Sequence, residues 1–284
     1  MKRLRKQTRP LAGNAAILLF LILAGLFMLL PLIYTVVNAF KPLNEIFLFP
    51  PRFFVRHPTL DNFILMLQLA SNFNVPFSRY VFNSVFVAGA GTLLYILIAS
   101  LAAYPLAKYR FPGSVLFFQI VVWAILFRPE VTGIPTYILL AKMHMIDTYA
   151  AVIVPALAST FGVFLMRQFM STFPDQILDA ARIDGAGEYR IFWRIVMPCV
   201  KPGWITLLIF TFQNFWNAGG ISYIYDESLK GLPVVLSQIA AGGIARAGAG
   251  SATALFLMIP TVLIFIVSQS SVLQTMAYSG IKGE

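Results

Sequence analysis

The chain has 284 residues, of which 59% are hydrophobic and 11% charged, against about 25% charged in an ordinary soluble domain. So few charges cannot cover the surface of a soluble globule, which excludes a free cytosolic enzyme or binding module. The formal net charge of +10 then reads as membrane topology and attraction to anionic lipid rather than as nucleic-acid binding.

Uncharged, mainly apolar stretches run from Pro10 to Phe40, Tyr80 to Ala107, Phe111 to Phe127, Thr148 to Met166, Pro202 to Tyr225 and Ala247 to Gly280. Each can hold a helix near the roughly 20 residues needed to cross about 30 Å of hydrocarbon, so the sequence predicts an all-α polytopic membrane protein of six spans. Residues 1–13 form a tail and 14–40 the first span. Lys2, Arg3, Arg5 and Lys6 before an apolar run also describe a signal peptide, but Asn14 to Val37 is too long for its apolar region, and the stretch is read as helix 1. Residues 41–79 carry Pro42, Pro50, Pro51, Pro58 and Pro76, which forbid a long helix and predict an extracytoplasmic loop with short amphipathic pieces. Residues 80–272 form the core, with spans 2–6 and a loop at 167–201, and 273–284 a second tail.

Within that core, Arg128-Pro129-Glu130 ends the third span with a breaker and two charges; these belong at the outer interface or beside a polar cavity. Val131 to Ala141 suits a re-entrant or interfacial helix. Trp204 and Trp216 bracket the fifth span as an aromatic belt would, and Gly219-Gly220 with the glycines from Gly242 to Gly250 punctuate a long outer loop. Gly231 to Ala245 is uncharged but too short to span. An even number of spans puts both termini on one side. That side then collects 13 of the 21 Lys and Arg residues, which predicts cytoplasmic termini. Cys199 is the sole cysteine, and His57 and His144 fall in different outer loops, so no disulfide or metal site is expected.

The informative segment is the cytoplasmic loop. Thr172 is placed to cap a helix whose first turn holds Pro174 and Asp175, and Gly185 to end it in a left-handed conformation. Ile177, Leu178 and Ala181 give that helix an apolar face, and the Ala180-Ala181 pair leaves a narrow surface that could enter a groove on another protein. Tyr189, Phe192, Trp193 and Val196 then fall at i, i+3, i+4 and i+7 of a second helix, with Arg190 and Arg194 at headgroup level. From periodicity alone an amphipathic loop resting on the bilayer is the better fit.

Asp179-Ala180-Ala181-x3-Gly185-x9-Ile195-x2-Pro198 resembles the Glu-Ala-Ala loop of ATP-binding-cassette (ABC) importer permeases, with Asp179 in place of Glu and Met197 in place of Leu. Asn83-Ser84, Ala103-Tyr104, Phe111-Pro-Gly113, Ile134-Pro-Thr-Tyr137, Phe164-Leu-Met-Arg167, Phe215-Trp-Asn217 and Gly280-Ile-Lys-Gly283 extend the resemblance to the carbohydrate, maltose-type branch. The resemblance implies a type I importer permease fold, a coupling helix that docks on an ATPase, and a bacterial inner-membrane location. It also implies as partners a second homologous permease, two ABC ATPase subunits and an extracytoplasmic solute-binding protein, with ATP and Mg held by the ATPases and no cofactor on this chain. The cargo it implies is a sugar of the oligosaccharide class.

There is no Gly-Lys pair in the chain, hence no phosphate loop, so energy for transport would come from a partner. The rival classes are a proton-coupled secondary carrier, which usually keeps ionisable residues within its spans, and an ABC permease for a non-sugar solute. Candidate groups on a solute's route are Asn83, Arg128, Glu130, Asn214, Trp216 and Asn217, because sugars bind through hydrogen bonds and through ring faces stacked on aromatics.

Overall fold

The computed structural model describes residues 11–71, 75–127, 129–218, 223–243 and 246–280, without the side chains of 11–14, 129, 130, 218 and 270–280. Every regular element among them is helical: α1 (Leu11–Ala39), α2 (Asp61–Ser71), α3 (Phe77–Lys108), α4 (Ser114–Ala124), α5 (Pro129–Lys142), α6 (Tyr149–Leu157), α7 (Thr160–Ser171), α8 (Asp175–Ile183), α9 (Glu188–Cys199), α10 (Lys201–Ala218), α11 (Leu232–Ala240) and α12 (Ala247–Gly280), besides short turns.

Among the described residues three helices are alone long and apolar enough to cross a bilayer, and up to five spans result if each bent pair counts as one. The pairs are α6 with α7, bent by 46°, and α9 with α10, bent by 77°. The stretch expected as the third span, Phe111 to Phe127, is realised as the 11 residues of α4. At 1.5 Å per residue that is about 16 Å, half the hydrocarbon thickness. Gly113 in the left-handed region precedes it, and turn backbone follows it before Pro129.

The chain divides into two compact units. One comprises the residues up to Gln68 with Ile239–Phe256. In it Asn62 on α2 is buried and donates its amide to the Ala39 and Lys41 carbonyls at 3.0 and 2.8 Å, satisfying orphan acceptors at the end of α1. Glu45 accepts from the backbone N–H groups of Arg56 and His57, and its carboxyl is held below the usual range chiefly by the Arg56 amide.

The other unit comprises Leu69–Gln238 with the chain from Leu257 onward. Its axis is α3, against which α7, α10 and α6 pack. Buried Tyr95, Ala99, Ala103 and Tyr104 on α3, Met166 and Met170 on α7 and Leu207 on α10 form one core cluster with residues of the cytoplasmic loop. The small residues on α3 let the neighbouring backbones approach. Between α6 and α7, where Pro155 interrupts the helix ladder, the Tyr95 hydroxyl donates to the Ser159 carbonyl at 3.1 Å and accepts from the Gly162 N–H at 2.7 Å. A side chain thereby supplies what a broken helix loses, and Gly162 is needed there because a Cβ would sit 2.7 Å from the Tyr95 ring. The segment from Gly231 onward, read as too short to span, folds as α11, with Leu232, Val235 and Leu236 fully buried and the Leu232 N–H bonded to the Ser84 hydroxyl.

Candidate functional site

The loop after α7 folds as a knob of two helices. α8 starts at Asp175, with Pro174 before it in an extended conformation that fits a helix start. Thr172 does not cap α8 as expected. Its hydroxyl donates back to the Phe169 carbonyl at 2.8 Å and so finishes α7.

The C-terminus of α8 follows the expectation closely. Gly185 has φ +76°, its N–H bonds the Arg182 carbonyl at 3.0 Å, and the Ala186 N–H bonds the Ala181 carbonyl at 2.9 Å. This pair of crossed bonds is a Schellman motif. Nothing lies within 4 Å of a Cβ added at Gly185, so backbone conformation alone demands the glycine.

The apolar face of α8 differs from the one read from the sequence. Leu178 and Ala181 are buried in the core cluster, Ala181 at 9% exposure, whereas Ile177, Asp179 and Ala180 are exposed. Ala181 therefore packs inside this chain, and of the alanine pair only Ala180 is presented outward. The outward rim is Ile177, Ala180 and Ile183, the last 86% exposed.

In α9 the expected stripe is also revised. Residues Phe192–Val196 form a π-turn, with the Met197 N–H bonded to the Phe192 carbonyl, which inserts one residue into the helical register. Ile191, Phe192 and Val196 are buried, while Tyr189 and Trp193 stay exposed. Ile195 is half-buried against the core and Pro198 is exposed. Trp204 donates to the Met197 carbonyl at 3.2 Å, bracing the bend into α10.

Polar side chains join α8 to the last turn of α3. Lys108 Nζ, on a side chain only 2% exposed, donates to the Phe173 carbonyl and pairs with Asp175 at 2.7 Å. Arg182 lies 3.0 Å from Asp179 and 3.0 Å from Glu188 Oε1, and donates to the Tyr109 hydroxyl at 3.2 Å. The other oxygen of Glu188 accepts from the Tyr104 hydroxyl at 3.0 Å. The Tyr109 hydroxyl, then Arg182 and Tyr104, hold the Glu188 carboxyl below the usual carboxylate range despite partial desolvation. The guanidinium of Arg182 is held protonated most strongly by Glu188. Sequence reading missed Glu188 and Tyr109 because their partners are remote in the chain; the only signal was an acid at the start of α9.

The residues proposed for a solute's route scatter. Asn83 is fully buried: its amide donates to the Ser228 and Lys230 carbonyls, each at 2.9 Å, and accepts from Tyr149 at 2.7 Å. Trp216 is buried, stacked on Phe212, with its indole N–H on the Leu257 carbonyl at 3.1 Å. Asn217 is exposed. Asn214 lines a cleft of about 120 Å³ with Tyr95, Ser159, Phe161, Phe210 and Phe215. Arg128 and the side chain of Glu130 lie outside the described residues.

No family model matches the sequence. The sn-glycerol-3-phosphate transport system permease protein UgpE of Yersinia enterocolitica is 37% identical over 177 residues, 62% of this chain and 59% of that protein; the chain thus spans about three fifths of the length of that relative. UgpE of Pectobacterium atrosepticum is 33% identical over 209 residues, 72% of this chain and 74% of the relative. The arabinooligosaccharides transport system permease protein AraQ of Bacillus subtilis is 27% identical over 272 residues, 94% of this chain and 95% of the relative. In fold, the chain is similar to one in the crystal structure of a bacterial ABC transporter involved in the import of the acidic polysaccharide alginate, with a TM-score of 0.78 and 19% identity over 93% of this chain and 99% of that one. With a capped helical knob seated on a bundle of apolar helices, and with these relatives, the chain belongs to the permease family of ABC importers, in the branch that holds the glycerol-3-phosphate and arabinooligosaccharide permeases.

Proposed function

We propose that the chain is one membrane subunit of an ATP-driven importer for oligosaccharides, paired with a second permease, resting on two ATPase subunits and supplied by an extracytoplasmic binding protein. The observation that carries this reading is the knob. α8 is closed by a Schellman motif, seated on the core through Leu178 and Ala181, and offers Ile177, Ala180 and Ile183 outward. A rigid, apolar-tipped projection of this kind suits a cleft on another protein, and ATP binding there would favour one packing of the permease pair over another. In this reading Asp179, Ala180, Ala181, Gly185, Ile195 and Pro198 build the knob, the first two facing the ATPase and the rest holding its shape. Alignment with the arabinooligosaccharide permease along nearly the whole chain supports the cargo class.

In this reading an even number of crossings with both termini cytoplasmic puts the knob on the ATPase side. Cys199, the only cysteine in the chain, is exposed beside it, so a membrane-impermeant maleimide should label it in inverted vesicles and not in intact cells. The decisive experiment is purification of the complex from its own membranes, identification of the co-purifying chains and uptake by reconstituted vesicles. Full transport by this subunit without an ATPase would end the reading. The 33–37% identity to glycerol-3-phosphate permeases favours, as a second reading, a small phosphorylated polyol as cargo. Competition of the two solute classes for uptake separates them. On either reading Asn214, in an aromatic cleft, is the best-placed polar contact.

A further inference from the structure

The last turn of α3 grips α8 at both ends. At the N-terminal end the nearly buried Lys108 holds the Phe173 carbonyl and Asp175. At the C-terminal end Arg182 and Glu188 close on Tyr104 and Tyr109. An isolated surface ion pair contributes little, and Arg182 and Glu188 are both partly exposed. Tyr104, however, is buried, with its ring edge-on to Tyr109 at 5.8 Å and to Phe192 at 5.3 Å. Its hydroxyl therefore needs an acceptor, and Glu188 supplies it while its other oxygen fixes Arg182. Asp179, at the head of the Asp-Ala-Ala triplet, takes a further guanidinium donor. Glu188 bonds two partners and Arg182 three, so the cluster acts as a unit.

We propose that Glu188 is a positioning residue that locks α8 to the cytoplasmic end of α3 through Tyr104, Tyr109 and Arg182, so that movement of the docked helix displaces α3 as one body. This rests on the reading of α8 as the ATPase-docking helix. Without the lock, α8 rocks about its Leu178 contact, and ATP hydrolysis continues while the bundle stays behind.

The test uses the full transporter in lipid nanodiscs, with Glu188→Gln and Tyr104→Phe compared with the parent. Nitroxides at Arg110→Cys and Gln176→Cys, both exposed and outside the outward rim of α8, in a Cys199→Ser background report the spread of distances between the end of α3 and α8. The parent should give a narrow distribution, and each variant one about twice as wide. ATPase co-purification should be unchanged, while solute imported per ATP falls about tenfold in Glu188→Gln, as expected for the loss of one charge-assisted hydrogen bond. Unchanged widths, or wider distributions with an unchanged transport-to-ATP ratio, overturn the proposal. If Glu188→Gln does not accumulate, Tyr104→Phe, which removes one hydroxyl, decides by the same criteria. A parent chain that purifies with no ATPase overturns the docking reading and the proposal with it; unchanged widths in an assembled complex overturn the proposal alone.

Discussion

Replacing Gly185 separates backbone conformation from space at the end of α8. Its φ of +76° costs a residue with a side chain about 1 kcal/mol, and a β-branched residue more. Because nothing lies within 4 Å of an added Cβ, no steric penalty arises within the chain. One kcal/mol changes the ratio of closed to frayed helix ends by about fivefold, and the two Schellman bonds to Arg182 and Ala181 open together. Asn, which tolerates the left-handed region, should therefore stay near the parent, Ala should lose part of coupled transport, and Val most of it. All three should reach the membrane at parental level, since the buried contacts of Leu178 and Ala181 remain. The assays are immunoblot of membranes, uptake in reconstituted vesicles, and stimulation of ATP hydrolysis by loaded binding protein. A Val variant that transports at the parental rate refutes the argument. Equal losses in Asn, Ala and Val refute its conformational basis and leave a clash with the partner as the cause.

Asn83→Ala strands two half-buried carbonyls and the Tyr149 hydroxyl, which should cost about 1–3 kcal/mol and lower the melting temperature of the purified protein, whatever solute is present. Gly162→Ala drives a methyl against the Tyr95 ring and should cost about 1–3 kcal/mol by overpacking, read by the same melt. Glu188 has a depressed pKa, so its contribution is complete above the free carboxyl value of 4.5 and is lost as pH falls through its lowered value. The nitroxide distances should accordingly hold from pH 7 to about 5 and spread only below about 4.5, with Glu188→Gln insensitive to pH; spreading near neutrality would contradict this.

Apolar run lengths revealed the helices because burial in lipid forces backbone bonds to close within each segment, and α1 and α12 fall close to where they were expected. The glycine at the end of α8 was legible for a local reason: only the left-handed region completes the Schellman bonds. What failed was inference about faces. Ala181 was assigned outward because a short helix read alone has no inside, and its inside is set by Tyr104 and Met170, far away in sequence. A 3.6-residue count puts Tyr189, Phe192, Trp193 and Val196 on one apolar face, whereas the fold buries Phe192 and Val196 with Ile191 and leaves Tyr189 and Trp193 exposed. Asn83 looked like a polar group at a helix mouth, and its three partners lie in segments whose proximity no periodicity encodes.

The π-turn at Phe192–Val196 also sets how this stretch can change length. A residue removed from an ordinary helix turns everything after it by about 100°, carrying a lipid-facing side inward. Here the segment already holds one residue beyond the α-helical count, so a single deletion within it would relax the turn to regular α-helix and leave the faces of α10 where they are. The junction between the knob and the membrane is thus a place where the chain can shed a residue while its downstream packing keeps its orientation.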